Sequence, residues 1–314
     1  MFNPVRRFAF GVVLGLFVFE VSLRVISPLL GPPLVSWNTM QDAKLYKLQQ
    51  LDAAQTPDIF VLGNSTALMG VSPTVLREFK PDLEVFNFAM NGSDSLSMVR
   101  LSIDELIPRY KVKKLILFFS QGSFREDLDF SNHPYELAQP KDKQNDFLDL
   151  VISEIYIYQY RNMIRDPMVL NSLIRSILFF SNNQGIAARW ASDLDDSGYS
   201  ILPLPDNEIT EGWDKRLQNH STTPEIVLPK GTVADLEYLA EIAKSRSISI
   251  TLATVPTTSY DQNYRSTVEQ LAQLYDFNFI QGNDAVTNGE FFQDGVHLNS
   301  KGARAFSMWL TSKI

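Results

Sequence analysis

From residue 59 onward, short apolar runs rich in β-branched and aromatic residues alternate with longer stretches whose apolar side chains recur every three or four positions. The runs at 59–62, 83–88, 114–119, 248–254 and 277–280 are bounded by turn residues or charged helical stretches, which predicts five strands. The helical stretches fall at 73–79, with Ser72 as cap, and at 96–110, 233–245, 264–275 and 301–312, the last capped by Asn299 or Ser300. Strand and helix in alternation predict an α/β fold with a central parallel sheet of five strands. In such a sheet ligands bind beyond the carboxyl ends of the strands, so residues just after each strand are functional candidates.

Two regions break the alternation. A polar stretch at 41–55 precedes the first strand. Between 125 and 229 the pattern becomes helical and irregular, with mixed charge and aromatic residues such as Tyr156, Tyr158, Tyr160, Trp190 and Trp213. This segment is expected to be one long insertion into an α/β domain spanning 34–314. Its aromatic residues at helical spacing read as packing rather than ligand recognition.

The N-terminal 33 residues differ in kind from the rest. Arg6 and Arg7 precede an apolar run from Phe8 to Phe19, which continues less cleanly to Leu30. That length approaches the ~20 residues a bilayer requires. Glu20 and Arg24 interrupt it at a spacing that lets them pair along one helix face. Gly31-Pro32-Pro33 ends the helix, and no small-residue cleavage signature follows, so a retained anchor is expected over a removed signal peptide. With the arginines on the short side, the tail is expected in the cytoplasm and the single-pass chain's domain in the periplasm or outside the cell.

Composition narrows the function classes. A net charge of −8 and an isoelectric point near 5.0 leave no basic stripe for nucleic acid. The chain has no cysteine, which removes disulfides, thiolate metal sites and cysteine nucleophiles. With no histidine cluster and no glycine-rich phosphate loop, neither a metal nor a cofactor is expected. Asp193-Leu194-Asp195-Asp196-Ser197-Gly198 imitates the opening of a calcium-binding loop, but Leu204 stands where the bidentate glutamate belongs, so a solvated acidic turn is expected.

Three short blocks carry candidate chemistry. Near the C-terminus, Asp294 and His297 lie three residues apart on a loop entering the last helix. Such spacing lets a carboxylate accept from Nδ1 and leaves Nε2 free to remove a proton. The ordinary alternative is a surface ion pair. After the first strand, Gly63-Asn64-Ser65 offers a tight turn with a serine hydroxyl and N–H at the sheet's carboxyl edge, where a plain helix cap is the ordinary reading. After the second strand, Asn87-Phe88-Ala89-Met90-Asn91-Gly92-Ser93 brings a glycine N–H to a helix entrance, where an oxyanion would be stabilised. A G-x-S-x-G elbow is absent, since Ala67 stands in place of its second glycine.

Taken in chain order, the three blocks resemble the SGNH, or GDSL-like, hydrolase superfamily. The resemblance rests on the motifs within 58–124 and 233–314 and leaves the insertion aside. It implies a flavodoxin-like three-layer sandwich, with Ser65 as nucleophile, Asp294 and His297 completing a triad, and Gly92 with Ser65 in the oxyanion hole. One departure matters: where the family has Gly-x-Asn-Asp after the third strand, this chain reads Ser120-Gln121-Gly122-Ser123. The donor asparagine is missing, leaving Gln121 or Asn91 as substitutes, or the N–H groups of Ser65 and Gly92 alone. Membrane-tethered, envelope-modifying members, similar to those in D-alanine transfer or alginate acetylation, also deviate here. The resemblance therefore implies an acyl-ester hydrolase at the cell envelope, acting on an acyl ester or an O-acylated glycan. The alternatives are an O-acyltransferase served by a multispanning membrane acyl-donor protein, and a non-catalytic envelope scaffold that keeps the fold.

Overall fold

The computed structural model describes residues 4–30, 39–51, 57–91, 95–120, 155, 157, 194–199, 230–257 and 262–314. The chain divides into two compact units, Met1–Tyr46 with Gln139–Ser192, and Lys47–Ala138 with Asp193–Ile314. Of the expected insertion at 125–229, only residues 155, 157 and 194–199 are among the described residues.

In the first unit, α1 (Pro4–Leu30) is the one helix among the described residues long and apolar enough to cross a membrane, over the 20 residues Arg6–Val25. At 1.5 Å per residue those 20 residues cover about 30 Å, the thickness of a hydrocarbon core. Phe8, Phe10, Val13 and Phe17 are exposed along it. The expected charge pair forms: Arg24 Nε donates to Glu20 Oε1 at 2.9 Å, and Glu20 Oε2 accepts the Ile157 N–H at 2.9 Å. The polar stretch that follows is a helix, α2 (Thr39–Gln50), whose residues to Tyr46 belong to this unit and the rest to the second; Ala43, Leu45 and Leu48 are buried.

The second unit holds five strands, β1 (Ile59–Leu62), β2 (Val85–Asn87), β3 (Lys114–Phe119), β4 (Ser249–Thr254) and β5 (Asn278–Ile280). All pair in parallel in the order β2-β1-β3-β4-β5, with Phe60 opposite both Phe86 and Leu115, and Ile116 opposite Thr251. β1 is buried throughout and β3 from Leu115 on, which is why both read as unbroken apolar runs rather than alternating ones. β2 is shorter than the 83–88 expected, because the Glu84 carbonyl turns to the N–H groups of Asp58 and Ile59 ahead of the ladder.

Helices fill the connections. α3 (Ser65–Gly70) and α4 (Pro73–Phe79) follow β1, and Ser72 caps α4 as expected, accepting the Val75 N–H. The predicted continuous helix at 96–110 is interrupted. α5 (Ser95–Leu101) widens into a π turn over Ser102–Leu106, where the Ile107 N–H reaches back five residues to the Ser102 carbonyl, before α6 (Ile107–Arg109). Pro108 has no N–H for the carbonyl four residues earlier, and its ring would collide with it, so the turn ahead opens. α7 (Lys230–Arg246) precedes β4, α8 (Gln262–Leu274) precedes β5, and α9 (Ser300–Thr311) closes the chain, capped by Asn299. α9 packs on α3 and α4, while α7 packs on α5.

After β5 the chain comes against β4: the Gly282 N–H donates to Thr254 Oγ1 at 2.9 Å, and a Cβ at 282 would lie 2.0 Å from the Thr254 carbonyl oxygen. Gly282→Ala is therefore expected to destabilise the protein by roughly 1–3 kcal/mol. Urea denaturation checks this, and an unchanged midpoint would contradict the packing.

Candidate functional site

The turn after β1 is built for close approach. Gly63 has φ +154°, and a Cβ there would stand 2.8 Å from Ala67 Cβ and 3.0 Å from the Phe118 carbonyl oxygen, so only glycine fits. Asn64 then caps α3, its Oδ1 accepting the Thr66 N–H at 3.0 Å. Ser65 becomes the first residue of the helix, and its N–H donates to no group among the described residues. Its hydroxyl and N–H thus both belong to the carboxyl edge of β1.

The acidic partner comes from the loop before α9. Phe292 and Leu298 form an antiparallel bridge, and the Gln293 N–H donates to the His297 carbonyl at 3.0 Å, which closes a small loop with residues 294–296 at its tip. Asp294 Oδ1 shapes that tip by accepting the N–H groups of Val296 at 2.8 Å and His297 at 2.7 Å. The loop is fastened below by Asn299, fully buried, whose Nδ2 donates to the Glu290 carbonyl while its Oδ1 takes the Gly302 N–H.

The three side chains form one chain of hydrogen bonds. His297 Nδ1 lies 2.8 Å from Asp294 Oδ2, and His297 Nε2 lies 2.7 Å from Ser65 Oγ. Burial works to raise the Asp294 carboxyl, but the bonds from the His297 ring and from the two loop N–H groups outweigh it and hold it below its ordinary value. An ionised Asp294 fixes the proton on Nδ1, which leaves Nε2 to accept from the serine hydroxyl. The arrangement can therefore draw a proton from Ser65 and stabilise the imidazolium that results.

The sequence-derived candidates separate clearly. Ser65, Asp294 and His297 come together from sites 229 and 232 residues apart along the chain (294 − 65 and 297 − 65). Asn91 is exposed in the turn after Met90 and makes no hydrogen bond to any of the three. Gly92 and Gln121 lie outside the described residues. In the acidic turn, Asp195 accepts the N–H groups of Ser197 and Tyr199 and the Thr74 hydroxyl, so its carboxylate serves its own fold.

Sequence reasoning missed Asn87, the last residue of β2. Fully buried, it donates Nδ2 to the Val71 carbonyl at 2.7 Å and, at longer range, to those of Ala67 and Leu68, while its Oδ1 accepts the Ala89 N–H. It thereby ties the carboxyl end of the Ser65 helix to the segment leading towards Gly92. An asparagine at a strand end is the only signal the sequence offered.

Comparison with protein-family models gives no match, and comparison with curated proteins gives none either. Fold and site together define an α/β protein that carries a hydrogen-bonded serine, histidine and aspartate at the carboxyl side of a five-stranded parallel sheet.

Two outcomes follow from this geometry. Asn87→Ala strands buried carbonyls at the end of α3 and is expected to cost about 1–3 kcal/mol in chemical denaturation. Because the Asp294 carboxyl is lowered by folding, its contribution to stability is present above about pH 4 and is lost as pH falls through its folded value. The difference in thermal midpoint between wild type and Asp294→Asn should accordingly shrink on acidification below about pH 4, as scanning calorimetry across pH would read.

Proposed function

We propose that this protein is a serine-dependent acyl-ester hydrolase of the SGNH type, anchored in a membrane by α1 and acting at the cell envelope. The observation that carries the proposal is the unbroken Asp294–His297–Ser65 chain of hydrogen bonds, with links of 2.8 and 2.7 Å. The strand order β2-β1-β3-β4-β5 supports the flavodoxin-like reading, because it is the doubly wound order in which ligands sit at the carboxyl ends of the central strands. Ser65 follows the carboxyl end of β1, and His297 and Asp294 reach it from the loop before α9.

In the proposed reaction His297 Nε2 takes the Ser65 proton as Oγ bonds to the ester carbonyl carbon, and the carbonyl π electrons move to oxygen. The Ser65 N–H donates to that oxyanion, with Gly92 as the proposed second donor. The carbon–oxygen bond to the alcohol then breaks, and His297 returns its proton to the leaving oxygen. A water deprotonated by His297 attacks the acyl-enzyme and releases the acid and Ser65. Asp294 orients the imidazole throughout. A glycan hydroxyl in place of water would make the same acyl-enzyme an O-acyltransferase, with an acyl donor delivered by a multispanning membrane partner. The same apolar α1 that would anchor the protein would keep it in the plane of such a partner.

A fluorophosphonate probe tests the reading on the full-length protein in detergent. Wild type should be labelled, and Ser65→Ala and His297→Ala should not, with ester cleavage falling by roughly 10⁴-fold or more in either variant. Labelling that survives Ser65→Ala would overturn the assignment, and an unlabelled wild type would favour the scaffold.

A further inference from the structure

The side chain of Asn64, immediately before the proposed nucleophile, bonds in two directions. Its Oδ1 accepts from the Thr66 N–H at 3.0 Å and from the Thr66 hydroxyl at 2.6 Å, both within the first turn of α3. Its Nδ2 donates to Ser120 Oγ at 2.7 Å, reaching the residue that follows β3. Because a backbone N–H claims the oxygen, only the amide nitrogen can face Ser120, so the direction of this bond is fixed. Ser120 is buried, 8% exposed, and Asn64 is half-buried, so the bond is partly withdrawn from water.

The second bond does something the helix cap cannot. Gly63 O accepts the Met90 N–H at 3.0 Å, which ties the turn carrying Ser65 to the chain leaving β2. β1 lies between β2 and β3 in the sheet. Asn64 supplies the tie on the opposite side, to the end of β3. A turn bonded to both neighbouring strands cannot rock about the axis of β1, and rocking is the motion that would change the distance from Ser65 Oγ to an imidazole carried by a different element.

We infer that Asn64 and Ser120 are a matched pair of positioning residues that hold the Ser65 turn at its working distance from His297; the inference rests on the acyl-ester reading of this site. The residue types follow from one another. An amide at 64 caps Thr66 and donates to Ser120 together, whereas an ionised aspartate only accepts, and would require the Ser120 hydroxyl to turn its proton inward. It would also set a negative charge one residue from the place where negative charge develops on the ester oxygen. The hydroxyl at 120 thus answers the amide at 64.

Ser120→Ala in the full-length protein removes the tie and keeps the cap. Rates of fluorophosphonate inactivation and of p-nitrophenyl acetate turnover, each normalised to titrated active sites, separate positioning from mere loss of folded protein. The variant is expected to react about tenfold more slowly, with the loss in kcat rather than KM. The Asn64→Ala, Ser120→Ala double variant should be no slower than Asn64→Ala alone, because the pair shares one bond. A wild-type rate per active site in Ser120→Ala, or additive losses in the double variant, would overturn the pair while leaving a labelled Ser65 intact. A wild type that is never labelled would overturn the acyl-ester reading and this inference with it.

Discussion

Everything proposed for this protein depends on a 2.7 Å hydrogen bond between groups 232 residues apart, His297 Nε2 and Ser65 Oγ. No local turn can hold two such distant groups together, so the constraint must come from packing. α9 supplies it by lying against the corner between α3 and α4. There the Ser307 hydroxyl accepts the Ser72 N–H at 2.8 Å and donates to the Gly70 carbonyl at 3.2 Å. Asn299 then converts the position of α9 into the position of His297, since one side chain both caps the helix and grips the loop. The imidazole is placed by a packed helix, with the loop only as its last link.

Electrostatics on the two sides of that bond differ. The Asp294 side chain is 50% exposed, so water screens its charge, and its influence on His297 runs through directed hydrogen bonds more than through a buried field. The two N–H groups that hold Oδ1 therefore matter as much as the ring does, because they keep Oδ2 pointed at Nδ1. On the serine side, the bonded pair Asn64 and Ser120 is neutral. The carboxylate in this chain of bonds stands behind the imidazole, where it favours the cation.

The N-terminal helix shows the same habit of satisfying polar groups in apolar surroundings. Within α1, Ser22 returns its hydroxyl to the Val18 carbonyl at 2.8 Å, and Glu20 divides its oxygens between Arg24 and the Ile157 N–H. A lone carboxylate in a helix this apolar would be costly in lipid, and pairing one turn away removes most of that cost. The pair consequently leaves the length argument for an anchor intact, even though by composition it interrupts the run.

What the sequence disclosed follows from which interactions are local. Strands β1 and β3 were legible to the residue because burial on both faces forces an unbroken apolar run, and Ser72 and Asn299 were legible as caps because a cap bonds two or three residues ahead. α2 was not, since its buried positions include Gln41 and Lys44, whose polarity conceals them from any apolar pattern. Ser65, Asp294 and His297 were legible because each sits in a short block whose spacing has chemical meaning. Asn64 and Asn87 were not, although both lie inside those blocks, because an asparagine in a turn ordinarily bonds its own backbone. Their partners Ser120 and Val71 are set by which strands and helices neighbour one another, and that is decided only when the sheet assembles. The candidate residues of this site can be read along the chain, whereas the precision of their geometry is a property of the fold.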